Sequence, residues 1–127
     1  IEKFQKEKAK MVKSELKGKI TQVSGVNLLS EVIELDGNSI KDILFQLKGE
    51  VDNFVGVIGG ITGDKCSLSV IISDNIIAEK DLNAGNIIRE VSSHIQGGGG
   101  GQPFFATAGG KNPKGLNDAL EAVKSKL

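Results

Sequence analysis

The chain has 127 residues, 39% hydrophobic and 25% charged, enough for one hydrophobic core but not two, so a single domain plus an appended helix is expected. A formal net charge of zero excludes a binder of the strongly basic histone or zinc-finger kind. Cys66 is the single cysteine, which excludes an internal disulfide, and no apolar run approaches the roughly 20 residues that span a bilayer. The anomaly is 17 glycines, about twice the usual share of roughly 7%.

These numbers fit a reducing, cytoplasmic setting and no membrane contact. The chain opens at Ile1 without an initiator Met and without the apolar core of a signal peptide, so it is expected to be a piece of a longer polypeptide. Its charge is segregated. Residues 1–20 hold seven lysines against three acids, residues 97–127 four lysines against two, and the residues between them five basic against eleven acidic side chains. If the two ends meet in space, they carry positive potential and the body negative potential.

Through about Lys19, Ile1, Phe4, Met11, Val12 and Leu16 share one helical arc, which predicts an amphipathic helix over residues 1–20. Lys3, Lys6, Lys10, Lys13 and Lys17 fall on the opposite arc. This stripe is either a solvated face or a source of attraction for an anionic partner. Residues 21–127 are expected to form the globular part.

Val26 to Glu34 reads as a strand closed by Asp36-Gly37, a turn pair. A helix follows, with Ser39 and Asp42 as a capping-box-like pair, Ile40, Ile43, Leu44 and Leu47 as its apolar face, and Gly49 at its end. Phe54 to Ile61 and Cys66 to Ile72 read as an antiparallel hairpin. In the second strand Cys66, Leu68, Val70 and Ile72 alternate with Ser67 and Ser69, the pattern of one buried face.

From Leu82 to Gln96 the positions Ala84, Ile87, Ile88, Val91 and Ile95 again share an arc, and Gly97 is expected to stop that helix and open a glycine loop. A short extended piece at Phe104 to Ala108 leads to Gly109-Gly110-Lys111. Asn112-Pro113 reads as a helix start, with Leu116, Ala119, Leu120, Val123 and Leu127 turned inward. The order predicts an α/β fold: one small mixed sheet flanked by helices, preceded by the basic amphipathic helix.

No catalytic constellation emerges. His94 is the single histidine, which excludes a histidine-rich metal site, and its place beside an apolar face suits a structural role. Cys66 lies within a strand, where burial keeps a thiol inert. The glycine run satisfies neither common nucleotide motif. Gln102 and Pro103 stand where the last glycine of Gly-x-Gly-x-x-Gly belongs, and Gly110-Lys111 is followed by Asn112 where a Walker motif needs Ser or Thr. The run also follows the negative end of a helix, the wrong polarity for a phosphate. Gly109-Gly110-Lys111 precedes a predicted helix and has the better polarity, through free amides and the Lys111 ammonium. A plain tight turn is the alternative there.

The string GGGGGQPFFATAGGK from Gly97 to Lys111, with Asn83-Ala84-Gly85 before it and Asn112-Pro113 after it, resembles the C-terminal domain of alanyl-tRNA synthetases. Domains of this type are also attached to DHH-family phosphoesterases. The resemblance implies an accessory tRNA-binding domain of an alanine–tRNA ligase, serving protein biosynthesis and not itself an enzyme. It contacts the outer corner of tRNA and supports aminoacylation and editing, with ATP and zinc held by upstream domains and no cofactor of its own. Partners implied are tRNA, the upstream catalytic and editing domains, and a second copy in a homodimer. The RNA-binding residues expected are Gly98, Gly99, Gly100, Gly101, Gln102, Gly109, Gly110 and Lys111, with Lys6, Lys10 and Lys13 adding attraction. Gln102 departs from the family, where an arginine often stands, and Phe104 or Phe105 is either core or a stacking surface for a base. Two rival readings are an oligonucleotide-binding domain of a DHH-type phosphoesterase and a dimerisation module built on the first helix.

Overall fold

The computed structural model describes residues 14–23, 25–34, 37–62 and 65–125. Residues 14–17 are helical and bury Leu16. Lys3, Lys6, Lys10 and Lys13 of the predicted stripe lie outside the described residues. Strand β1 (Thr21–Val23) turns back into β2 (Val26–Ile33) as an antiparallel pair. Gly25 in that turn has φ of +84°, a conformation that disfavours any side chain.

Helix α1 (Gly37–Glu50) then crosses over so that β3 (Phe54–Thr62) lies parallel to β2, as a parallel pair requires of its connection. Strand β4 (Lys65–Ile72) returns antiparallel to β3, with Val55 opposite Ile72 and Thr62 opposite Lys65. Two helices follow, α2 (Asp74–Lys80) and α3 (Ala84–Val91), and a 3-10 turn at Ser92–Ile95. Strands β5 (Gly98–Gly101) and β6 (Phe105–Gly110) form a second hairpin, and a 3-10 turn at Pro113–Gly115 opens α4 (Leu116–Lys124). The six-stranded sheet runs β1-β2-β3-β4-β6-β5, the mixed sheet of an α/β domain.

Apolar residues cover both faces. On one face Ile40, Ile43, Leu44 and Leu47 of α1 pack with Leu16, Leu29, Phe54, Ile58 and Ile71. On the other, Ile87, Ile88 and Val91 of α3 and Leu116, Ala119, Leu120 and Val123 of α4 pack with Leu68, Val70 and Ile72. The alternation in β4 therefore marks the α3 and α4 side, while Ser69 and Ile71 are buried under the other layer. A strand central in the sheet is covered twice, which alternation alone does not reveal.

Four local expectations change. Residues 98–101, expected as a loop, are the edge strand β5. The helix expected over residues 82–96 is α-helical only over Ala84–Val91, with Asn83 capping it by accepting from the Asn86 N–H at 3.1 Å. Its stop is Gln96 in the left-handed region (φ 53°), ahead of Gly97. The start expected at Asn112-Pro113 is a 3-10 turn over Pro113–Gly115 without an asparagine cap, since the Asn112 side chain donates to the His94 carbonyl at 3.2 Å, and the α-helix itself begins at Leu116. Helix α1 starts at Gly37, ahead of the Ser39–Asp42 pair, and runs past Gly49. Strand β1 and helix α2 carry weak patterns of three and seven residues and went unpredicted.

Candidate nucleic-acid interface

The glycine run divides by the period of a strand. Side chains alternate along β5, and a Cβ on Gly99 would overlap the Thr107 carbonyl oxygen and the Ala108 backbone. Gly97 and Gly101 share that phase and the same obstruction, so three of the five glycines let β5 lie close against β6. Gly98 and Gly100 have the other phase. Among the described residues nothing stands within 4 Å of a Cβ position at Gly98, and at Gly100 only the Arg89 guanidinium approaches, its Nε at 3.6 Å and an Nη at 3.8 Å.

Gly109 has the same bare surroundings as Gly98, and the two are partners in the β5–β6 register. Neither has a positive φ, so neither space nor conformation requires glycine at these two positions. What they leave is a patch of strand without side chains, where a ligand can meet the backbone at van der Waals distance. Arg89, the only arginine in the sequence, stands on the exposed side of α3 beside this patch. A guanidinium offers five donors in a planar fork suited to phosphate oxygens.

The expected residues differ in what surrounds them, and Lys6, Lys10 and Lys13 lie outside the described residues. Gly98, Gly100 and Gly109 form the open patch; Gly99, Gly101 and Gly110 face neighbouring backbone or side-chain atoms of the fold. Gln102 is exposed at the β5–β6 turn, its N–H donating to the Phe105 carbonyl at 2.8 Å. Lys111 is exposed, but the amide route to an anion is closed there. The Lys111 and Asn112 N–H groups both donate to the Ile95 carbonyl at 3.0 Å, and α4 begins only at Leu116. The Lys111 ammonium, not a helix N-terminus, is what this segment presents.

Arg89 was missed because it lies outside the glycine motif. Its signal in the sequence was position: a lone arginine on the polar arc of α3, eight residues before Gly97. The phenylalanines were ambiguous for a different reason. Phe104 and Phe105 are half-buried and meet Phe45 of α1, the Phe45 and Phe105 ring centroids lying 5.0 Å apart and those of Phe45 and Phe104 6.4 Å apart.

His94 is exposed, and its carbonyl holds the Asn112 side chain. Cys66 is buried, and burial pushes its thiol above the ordinary value of 9.0 although the backbone N–H groups of Asn112 and Gly110 act the other way. That is the environment of an unreactive thiol. Among the described residues no group of three or more His, Cys, Asp or Glu is placed to hold a metal ion. No described helix is long and apolar enough to cross a membrane.

The sequence profile of the DHHA1 domain matches residues 25–127. An alanine–tRNA ligase of Christiangramia forsetii is 52% identical over 125 residues, 98% of this chain. One of Bacteroides fragilis is 45% identical over 124 residues, 97% of this chain. The chain spans 14% of the length of each of these curated relatives. Among solved structures, the C-Ala domain of Aquifex aeolicus alanyl-tRNA synthetase superposes with a TM-score of 0.75 at 29% identity, over 85% of this chain and 96% of that one. A DHH-domain protein of the s1p family of ribosomal proteins shares the fold, with a TM-score of 0.64 at 16% identity over 95% of this chain and 30% of that one. Profile, relatives and fold agree: the chain belongs to the DHHA1 domain family.

Proposed function

We propose that this chain is the C-terminal accessory domain of a cytoplasmic alanine–tRNA ligase and binds tRNA along the open edge of β5 and β6. The observation that carries the reading is the bare Gly98–Gly109 pair, with the Arg89 guanidinium beside Gly100 on the same strand. RNA helices are recognised through phosphates, ribose hydroxyls and shape, and a backbone surface with one adjacent guanidinium answers to those features. Lys111, and the lysines at 6, 10 and 13, add sequence-independent attraction. Contact with the outer corner of tRNA would let the domain support aminoacylation and editing by upstream domains, which hold the ATP and zinc chemistry.

Ligases at 52% and 45% identity favour this reading over a phosphoesterase module. The test is fluorescence anisotropy of a labelled alanine tRNA transcript at increasing salt. Neutralising about four phosphates gives a log–log slope steeper than about −2, at roughly 0.7 to 0.9 per phosphate. Binding indifferent to salt would remove the electrostatic half of the proposal, and no binding would remove all of it.

A further inference from the structure

Beyond the glycine edge, the same side of the sheet carries a second feature. Phe105, Thr107 and Gly109 are alternate residues of β6, register partners of Ile71, Ser69 and Ser67 of β4. Partners in a ladder share a face, and Ile71 lies in the α1 cluster, so this is the α1 face. Thr107 and Gly109 are exposed on it, and Phe105 is half-buried. The row spans about 13 Å at roughly 3.3 Å per residue. One end is the bare glycine pair, and the other is an aromatic cluster.

That cluster is not a plain piece of core. Phe45 is the exposed large hydrophobic side chain among the described residues, at 37% exposure, and its ring makes a tilted contact with Phe105 and an edge contact with Phe104. Two cations rim it. The Lys48 ammonium is 4.9 Å from the Phe104 ring centroid and the Lys41 ammonium 6.0 Å from that of Phe105. Lys48 also meets Asp74 at 3.6 Å, so part of its charge is answered within the protein. Lys41 has no ion pair among the described residues and is exposed. An aromatic face flanked by ammonium groups fits one chemistry well: a flat nucleobase against the ring with its phosphate toward a lysine.

We propose that Phe45, supported by Phe104 and Phe105 and rimmed by Lys41 and Lys48, is a stacking platform for an unpaired nucleobase, continuous with the glycine edge. The platform rests on the RNA-binding reading above. The glycine edge holds backbone, and the platform holds a base. Arg89 and Phe45 then act on different parts of one strand: the guanidinium on phosphate, the ring on a base face.

The test compares a short fluorescein-labelled oligoadenylate with an abasic oligomer of the same length and charge, each titrated with the whole 127-residue chain. The unaltered chain is expected to prefer the oligoadenylate by roughly 5- to 150-fold, the range of base–aromatic stacking. Phe45→Ala is expected to erase that preference while leaving affinity for the abasic oligomer and the salt slope unchanged. Phe45→Trp, which keeps a ring, is expected to retain it and guards against a folding artefact. Equal affinity for the two oligomers, or a preference that survives Phe45→Ala, overturns the platform. A change in sedimentation on Phe45→Ala with no change in RNA preference also overturns it, assigning the patch to a protein contact. Salt-dependent tRNA binding with any of these results leaves the glycine edge standing, whereas no tRNA binding at all overturns both.

Discussion

Gly98 and Gly109 face each other across the β5–β6 register, and none of the described residues stands within 4 Å of the place where either would carry a Cβ. One residue along the strand, Gly99 has no such room. The glycine run therefore serves two purposes in alternation, and substitution separates them.

Gly98→Ala is expected to fold normally, with stability unchanged or raised by about 0.4–1 kcal/mol because the unfolded chain loses freedom. The added methyl lies on the bare patch, so tRNA affinity falls. Gly99→Ala is expected to cost about 1–3 kcal/mol or more, since β5 must move off β6. Urea denaturation with tRNA titration of both variants checks the pair. A destabilised Gly98→Ala or an unaffected Gly99→Ala would contradict the alternation.

Arg89→Ala is expected to weaken tRNA binding and flatten the log–log salt slope by about 0.7–0.9, the share of one phosphate. Lys111→Ala is expected to weaken binding more than Lys65→Ala. Anisotropy titrations at several salt concentrations measure both. An unchanged slope for Arg89→Ala would place the guanidinium outside the contact.

Ser69 is 1% exposed and its hydroxyl has no hydrogen-bond partner among the described residues. Leaving a buried hydroxyl unpaired costs about 1–3 kcal/mol. Ser69→Ala removes that cost for the loss of one atom, so the urea midpoint is expected to rise. A fall would show that the hydroxyl is satisfied in solution.

Burial raises the Cys66 thiol above 9.0. The unfolded chain then releases this proton before the folded one does, so above pH 9 the unfolded state is favoured and stability declines as pH rises. Below that pH both states keep the proton and the contribution is constant. Cys66→Ala is expected to reduce the alkaline decline, read as the urea midpoint from pH 7 to pH 10. In the native chain a thiol reagent should label Cys66 far more slowly than in denaturant, and rapid native labelling would contradict its burial.

The elements that could be read from sequence are those whose burial follows one period. Ile40, Ile43, Leu44 and Leu47 announce α1, and Ala84, Ile87, Ile88 and Val91 announce α3, because a helix packed on a sheet buries a single arc. The β3–β4 hairpin was legible differently, as two apolar runs rich in Val and Ile, Phe54 to Ile61 and Cys66 to Ile72, of which both faces are buried. Strand β5 was not, since glycine carries no side chain from which a period could be read. Its pairing with β6 comes from backbone close approach, a property of two segments together.

The candidate site was legible as a region and not as a contact. Gly98 to Lys111 drew attention through composition, yet composition does not distinguish Gly98 from Gly99. Arg89 and Phe45 lie outside the motif and join it only through the fold, Arg89 through the packing of α3 on β5 and Phe45 through α1. The segment after β6, where the Lys111 and Asn112 amides turn to the Ile95 carbonyl, shows the opposite case, a plausible anion site in sequence that is occupied by the protein's own carbonyl.

Edge strands are ordinarily guarded against strand addition by charges, prolines or bulges. β5 has none of these, being four glycines at the rim of the sheet. Its protection is its poverty. Glycine orders reluctantly into strands and provides no side chain for a partner to interlock with, so four such residues make a poor template for another copy of the chain. A surface stripped for close approach is thereby kept from closing on itself.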